Sequence, residues 1–489
     1  MKKDLRLSSI RAFGILISFG IQVIFIKLIG ASEYGVYVLF ITWSAVISQI
    51  LILGYDRFLI KELSLLFIQK EKEKFRYTLD RVLFFILFNC IFFSLVAFII
   101  PIDFLRGTLF SNDLLKSTWI FIAVGSAIYA VFQLVGKILI STQRVELSYL
   151  RSEIIYKLIL LLSVLLIFYS FKNLFGLNVI LVGVLVSYTL TILSILFFDR
   201  KRLINYFKVK KKKIALGQEN YVFFFLTLNY FLITQIDKIQ LGRVSSMQIL
   251  GIYGLAATLC NMTGFSVVGY TRLTPKMSYY INNNLLAELD IEFKKVVKNA
   301  VIIALPVMMF LVVFAEDVLL FFGESYVIAA NALRILLFGQ MVFYFTGPNG
   351  NLLFNGGHAR IDMINSIIVL LLTILLNIIF YKAYGFIGVA IATSTGVTIM
   401  NILRVIQVKY YLNMFPYNIE NIWLTIIAFI SFGLVWLVGI NPDNLILRLI
   451  LNFSTGTIIA ALATSAFYKF RGQTFIKINT GKLMERLKA

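Results

Sequence analysis

The sequence predicts an all-α, polytopic membrane protein of about fourteen transmembrane helices. Three observations carry that reading: the scarcity of charge, the length of the apolar runs and the placement of the basic residues. Of 489 residues, 60% are hydrophobic and 14% charged, against roughly 25% charged in a soluble domain. A soluble chain this apolar could not cover its own surface, whereas lipid accepts runs of about 20 apolar residues that cross its hydrocarbon core. Composition therefore excludes a large soluble catalytic domain. The net charge of +22 is informative through its distribution rather than as a sign of nucleic-acid binding.

Helix-length apolar segments are expected at 10–29, 35–54, 79–101, 117–141, 153–171, 176–198, 217–238, 247–271, 295–316, 329–354, 361–383, 386–410, 420–440 and 446–468. The first has no small-residue cleavage site and reads as a retained span. Asp237 makes the seventh the least clean. With the N-terminus placed inside, 36 of the 46 basic residues fall in inward segments and 8 in outward ones. That split follows the positive-inside rule and predicts both ends in the cytoplasm. Outward loops are short, the longest near 102–116, whereas the inward loops 56–80 and 199–218 are long and basic. Lys210, Lys211, Lys212 and Lys213 form a run suited to anionic headgroups and, first of all, to anchoring topology. Cys90 and Cys260 lie in separate apolar runs, which argues for packing roles and against a disulfide or a cysteine metal site.

The chain repeats itself weakly about the middle basic loop. Glu33-Tyr34-Gly35-Val36-Tyr37 precedes the second span, and Leu250-Gly251-Ile252-Tyr253 opens the eighth. Phe175-Gly176-Leu177 opens the sixth, and Tyr384-Gly385-Phe386 opens the twelfth. These repeats predict a six-span N-terminal lobe (1–198), a basic cytoplasmic linker (199–216), a six-span C-terminal lobe (217–410), and an extra helix pair with a basic tail (411–489). Repeated lobes are a transporter habit, with the substrate path between them.

At these residues the chain resembles the polysaccharide transporter family, the O-antigen-type flippases of the multidrug/oligosaccharidyl-lipid/polysaccharide exporter superfamily. The resemblance is carried by Lys27-Leu28-Ile29-Gly30-Ala31-Ser32-Glu33-Tyr34-Gly35-Val36-Tyr37, by Asp237-Lys238-Ile239-Gln240-Leu241-Gly242 with Gly251-Ile252-Tyr253, and by Gly357-His358-Ala359-Arg360, Leu376-Asn377 and Tyr384-Gly385 through Thr393. It covers about residues 5–410. The last two spans look like the extra pair of fourteen-span members, which include the lipid II flippases. The resemblance implies a non-enzymatic protein that moves a polyprenyl-diphosphate-linked oligosaccharide from the cytoplasmic to the outer leaflet by alternating access, for lipopolysaccharide or capsule synthesis. It implies a multi-pass protein of the bacterial cytoplasmic (inner) membrane, with membrane lipids, a glycan polymerase and glycosyltransferases as partners and no nucleic acid. Arginines that line the lipid II flippase cavity are not all matched, since the eighth span carries Ala256 and Ala257 there.

Charges inside spans cost on the order of 3 kcal/mol each, so those retained need a reason. Polar residues share helical faces as Arg11, Ser18 and Gln22; as Ser126, Tyr129, Gln133 and Lys137; as Thr227, Tyr230, Thr234 and Asp237; and, more loosely, as Asn261, Gly264 and Arg272. Such stripes predict a watery cleft. For a diphosphate, Arg11, Lys137 and Arg272 are expected to form an inner cationic site, and Arg334 with Lys238 an outer one. The competing expectation is that these side chains snorkel to headgroups. Thr346-Gly347-Pro348-Asn349-Gly350-Asn351 predicts a break in the tenth span, with Gly347, Pro348 and Gly350 serving as a static kink or as a hinge. No Walker-type loop, GxGxxG or His/Glu metal cluster is found, so no cofactor or metal is expected. Two other functions stay open. A multidrug cation antiporter needs a membrane carboxylate, for which Asp237 is the candidate. A membrane glycan polymerase or ligase needs a large outward loop, which is lacking.

Overall fold

The computed structural model describes residues 2–99, 114–170, 176–198, 220–415 and 420–470. The linker 199–216 with its Lys210–Lys213 run, most of the loop 102–116 and the tail after Phe470 lie outside the described residues. Among the described residues every element is helical, the arrangement that satisfies backbone polar groups inside lipid. The main helices in the first half are α1 (Lys2–Ile52), α2 (Lys72–Ile99), α3 (Leu114–Ser141), α4 (Tyr156–Ser170) and α5 (Leu177–Phe198). In the second half they are α6 (Asn220–Val244), α7 (Met247–Met262), α8 (Val268–Asn282), α9 (Leu286–Val313), α10 (Ala330–Thr346), α11 (Asn349–Asn355) and α12 (Ala359–Leu412). The chain's last described helices are α13 (Glu420–Val438) and α14 (Leu445–Phe470). Among the described residues, eleven helical stretches are long and apolar enough to cross a membrane.

Two of these stretches are too long for a single crossing. A straight helix the length of α1 would reach about 76 Å, more than twice the roughly 30 Å hydrocarbon core. α1 is interrupted at Gly30 (φ 71°), a left-handed conformation open to glycine. Beyond it the Tyr34 hydroxyl donates to Gln22 Oε1 at 2.6 Å. Twelve residues of straight helix would hold those groups about 18 Å apart, so the chain doubles back at Gly30. α12 does the same at Gly385 (φ 59°). There Arg404 donates twice to Asp362, at 2.7 and 3.1 Å, across 42 residues. Both turn glycines belong to the motifs read from the sequence as loops between successive spans.

The other expected segments lie on the remaining helices, with two departures and one expected break. The eighth segment was expected to run unbroken through 271. It stops at Met262, passes through a 3-10 turn (Thr263–Val267) and restarts as α8, so Arg272 sits on a separate helix. The break is fixed by Thr263, whose hydroxyl bonds both the Cys260 carbonyl and the Tyr344 hydroxyl. The fifth segment, expected from 153, opens within a π turn over Leu150–Ile155 and becomes α-helical at Tyr156. The tenth segment ends at Thr346, turns at Gly347 (φ 72°) and resumes as α11, the break that Gly-Pro predicted.

α3 packs against α1, α2 and α5, and α12 against α6 and α10. The two halves of the chain meet where α1 lies on α7 and α6. That crossing is reciprocal: a Cβ on Gly35 would collide with the carbonyl of Met247, and a Cβ on Gly251 with the carbonyl of Ala31. Each glycine thus faces the residue four before the other, so the weak sequence repeat is a two-fold contact between backbones. α13 and α14 pair with each other and dock on α9. Large apolar side chains face outward over wide areas. Phe84, Phe88 and Phe92 form a stacked ladder and are each more than half exposed, a surface that only lipid covers without penalty.

Candidate functional site: the cleft between the halves

Two ends of the bundle can be told apart by contact. One holds Gly30, Gly35 and Met247, together with Tyr381, whose hydroxyl reaches the Val244 carbonyl at 2.9 Å. The other holds the short helix Tyr55–Phe58 that follows α1; it is called here the Arg57 end.

At the Gly30 end the halves are pressed together by the glycine crossing. Phe19, further along α1, stacks on Phe321 and meets Phe322 edge-on. At the Arg57 end a side chain crosses. Arg57 Nε donates to Thr227 Oγ1 at 2.9 Å, and its guanidinium lies 5.6 Å from the centre of the Phe354 ring. The two halves are therefore joined at both ends, by backbone packing at one and by an arginine at the other.

The expected cations divide by half. Arg11 lies over the Tyr149 ring at 5.1 Å, and its Nη1 is buried with no hydrogen-bond partner. Lys137 stands 4.0 Å from Asp56 Oδ2, while Asp56 is buried and its Oδ1 has no partner. Both cations are thus incompletely neutralised. Arg272 is half-buried on α8. Arg334 is fully engaged nearby, donating to the Val312 carbonyl, Asn331 Oδ1 and Glu316 Oε1 at 3.0–3.1 Å. Lys238 donates to Gln235 Oε1 at 2.6 Å. The expected outer pair is therefore occupied by local partners and is not brought together by any bond of its own.

The polar stripes are largely taken up by bonds within the bundle. Ser18, Ser126 and Thr234 bond carbonyls of their own helices. Gln22 accepts from Tyr34. Gln133 donates to Ser48 and accepts from Gln49, both at 3.0 Å. Asn261 is exposed. Asp237 is buried and accepts from the Lys238 amide and, at 2.7 Å, from the Tyr253 hydroxyl. One turn along α6, Gln240 donates to the Ile374 carbonyl. One turn beyond Ile374, Asn377 is buried with both amide atoms unpartnered. Among the described residues no group of three or more His, Cys, Asp or Glu is placed to hold a metal.

Around the break in the tenth span, Gly347 lies against Val297 and Phe293, and Gly350 faces the Arg404 guanidinium. Asn349 is buried with Oδ1 unpartnered. Sequence reasoning missed the bridging roles of Asp56, Arg57 and Thr227. It counted the first two as loop charges.

This helical bundle, with its two halves meeting in a reciprocal crossing, is similar in fold to solved transporters of the MOP superfamily, the superfamily the sequence motifs resemble. The solved lipid II flippase MurJ, in an inward closed conformation, matches 96% of this chain and 99% of its own with a TM-score of 0.63 at 17% identity. An inward-facing MATE-family multidrug resistance transporter matches 84% of this chain and 98% of its own, at TM-score 0.61 and 14% identity. Among curated proteins, the probable low-salt glycan biosynthesis flippase Agl15 of Haloferax volcanii is 22% identical over 250 residues, 49% of this chain and 51% of that protein. The chain thus spans about half the length of this curated relative. No family model matches the chain. These similar proteins are flippases and transporters, and the multi-pass membrane architecture is common to the chain and its structural neighbours.

Proposed function

We propose that the chain is a flippase for a lipid-linked glycan, moving a polyprenyl-diphosphate-linked oligosaccharide from the cytoplasmic to the outer leaflet by rocking two six-helix lobes about the cleft. The observation that carries the anionic substrate is the incomplete neutralisation of Arg11 and Lys137. Charged groups kept inside a membrane protein without full partners point to a substrate path. Cations of the second half contrast with them: Arg404 has Asp362, Lys298 has Glu420 and Lys294 has Asp290. The glycan flippase named among the relatives supports the same substrate class. In this reading the Arg57 end faces the cytoplasm, as do both chain termini, in the bacterial cytoplasmic membrane. A glycan polymerase and glycosyltransferases are the pathway partners.

The test is reconstitution. Proteoliposomes carrying a fluorescent polyprenyl-diphosphate oligosaccharide should show protein-dependent transfer between leaflets, read by a membrane-impermeant quencher. Absence of transfer by correctly folded protein would remove the proposal. One observation favours a second reading, a multidrug cation antiporter: Asp237 is a buried carboxylate with the unpartnered Asn377 amide on the neighbouring helix. Uptake of a fluorescent organic cation, abolished by Asp237→Asn, would select it.

A further inference from the structure

We propose that the turn Tyr55–Phe58 is a headgroup-operated latch. Arg57 holds the two halves together at its end of the cleft, and an anionic headgroup that takes Lys137 from Asp56 releases it. The proposal rests on the diphosphate reading for its trigger and on the geometry of the turn for its mechanism.

The turn is set by Gly54, whose left-handed conformation (φ 76°) ends the descent of α1. It is followed by a π turn over Leu59–Leu63, a helical irregularity that recurs at functional positions. Within one turn of chain, two neighbouring side chains point to different partners. Asp56 stays within its own half and faces Lys137 on α3. Arg57 leaves its half, donates to Thr227 on α6 and covers Phe354 on α11. Phe354 in turn packs on Phe223 of α6 at 5.3 Å, so the receptor for the guanidinium is a joined patch of the second half. Thr227 is buried, which shields its bond with Arg57 from competing water.

Coupling between the two contacts follows from the state of Asp56. It is a buried carboxylate with one oxygen unpartnered and the Lys137 ammonium at 4.0 Å. A diphosphate presents more negative charge than one carboxylate and can approach Lys137 at hydrogen-bonding distance, so it wins the lysine. Asp56 is then a buried charge without a counter-ion, a strongly unfavourable state unless the group moves into water. Moving Asp56 moves the four-residue turn, and Arg57 in that turn loses its alignment with Thr227. Charge arrival in the first half is thereby converted into separation of the halves. At the Gly30 end the crossing of Gly35 with Gly251 involves no ionisable group, so the same event leaves it closed.

The experiment uses the full chain in nanodiscs, with Cys90 and Cys260 replaced by serine and spin labels at Glu73→Cys and Arg360→Cys. Both labelled positions are exposed, at the starts of α2 and α12. Farnesyl diphosphate is the probe, and its binding is measured in parallel by calorimetry. The parent should show mainly one short distance, with a longer population appearing on addition of the probe. Thr227→Val, which keeps the shape of the side chain but removes the acceptor, should raise the long population about fivefold without probe, as should Arg57→Met. Asp56→Asn should still bind the probe but show no distance change, and Lys137→Ala, which leaves Asp56 without its counter-ion, should bind no probe and show the long population before any is added. Equal distances in the parent and Thr227→Val overturn the latch. So does probe binding to the parent without any change in distance. If the probe does not bind the parent at all, the diphosphate reading falls, and the headgroup trigger with it.

Discussion

Lys137 and Arg334 carry the same charge within apolar helices, yet the structure gives them different surroundings. Arg334 meets three acceptors within its own neighbourhood, whereas Lys137 has one carboxylate at the limit of an ion pair. Lys137→Ala should therefore weaken binding of a polyprenyl diphosphate by the worth of a charge-assisted bond, about 1.5–3 kcal/mol. Lys137→Arg should retain far more binding than Lys137→Glu. Arg334→Ala should leave binding within about twofold, since a partly exposed ion pair contributes up to about 1 kcal/mol, and chiefly to stability. Titrating labelled lipid against equal amounts of folded variants checks both; a large loss in Arg334→Ala would place the outer arginine in the substrate path after all. At Gly35 the expected effect is on folding. Alanine there would force the α1–α7 crossing apart at a carbonyl, costing about 3 kcal/mol, the upper part of the overpacking range. Thermal unfolding in detergent should show Gly35→Ala well below the parent and Gly20→Ala near it, because a Cβ on Gly20 meets nothing within 4 Å.

Among the elements, the α13–α14 pair is tied by polar contacts to α9 at one end and, at the other, to the short helix Ala315–Leu320 that follows α9. Lys298 bonds Glu420 at 2.8 Å, with the Tyr468 hydroxyl also donating to Glu420; at the opposite end Arg448 bonds Asp317 at 2.7 Å. Removing one partner of a buried pair leaves the other uncompensated, while replacing both by apolar groups can be neutral. Lys298→Met should thus destabilise the chain by about 1–3 kcal/mol, and adding Glu420→Met should recover most of the loss in the same unfolding assay. The turns at Gly30 and Gly385 were legible in the sequence because a glycine fell where two span lengths met. The break at Gly347 was legible because proline followed it. The break after Met262 was not, since apolar residues continue on both sides and the stabilising hydroxyl of Tyr344 lies 81 residues away. The Arg57 bridge was hidden for the same reason: Thr227 is 170 residues distant, and nothing local distinguishes this arginine from an ordinary loop cation. Lys137 and Arg11 stand out as candidates from their sequence positions alone, because a charge in an apolar helix is conspicuous without any knowledge of contacts.

For the whole molecule, the charge asymmetry of the loops makes a prediction about sidedness. Reporter fusions after Lys213 and at the C-terminus should report cytoplasm, and fusions near Asn112 and Asp443 the outside; an outside signal at the C-terminus would mean that a span has been miscounted. Substrate charge makes a second prediction. An anion leaving an inside-negative cell moves down the potential by about 2.3 kcal/mol per charge per 100 mV, so outward flipping of a diphosphate lipid should proceed without an ion gradient. In proteoliposomes held at fixed potential, a strict requirement for sodium or a proton gradient would refute uncoupled transfer. The second half is where such a requirement would originate, since Asp237 and the unpartnered amide of Asn377 lie on its adjacent helices α6 and α12.

The reciprocal glycine crossing also has a consequence for how the protein is made. Residues 31–35 leave the ribosome 216 residues before the segment 247–251 that they must meet. At 5–20 residues per second, that is a wait of roughly 10–40 s. During it the small-residue face of α1 is bathed in lipid, with nothing of matching shape to receive it. The first half must therefore be inserted and retained in the membrane as an unfinished object, and its maturation is set by arrival of the second. Two separately translated halves, divided in the basic loop near Lys211, should consequently assemble into a working protein when produced together. Gly251→Leu in the second piece should abolish their co-purification while each piece still inserts.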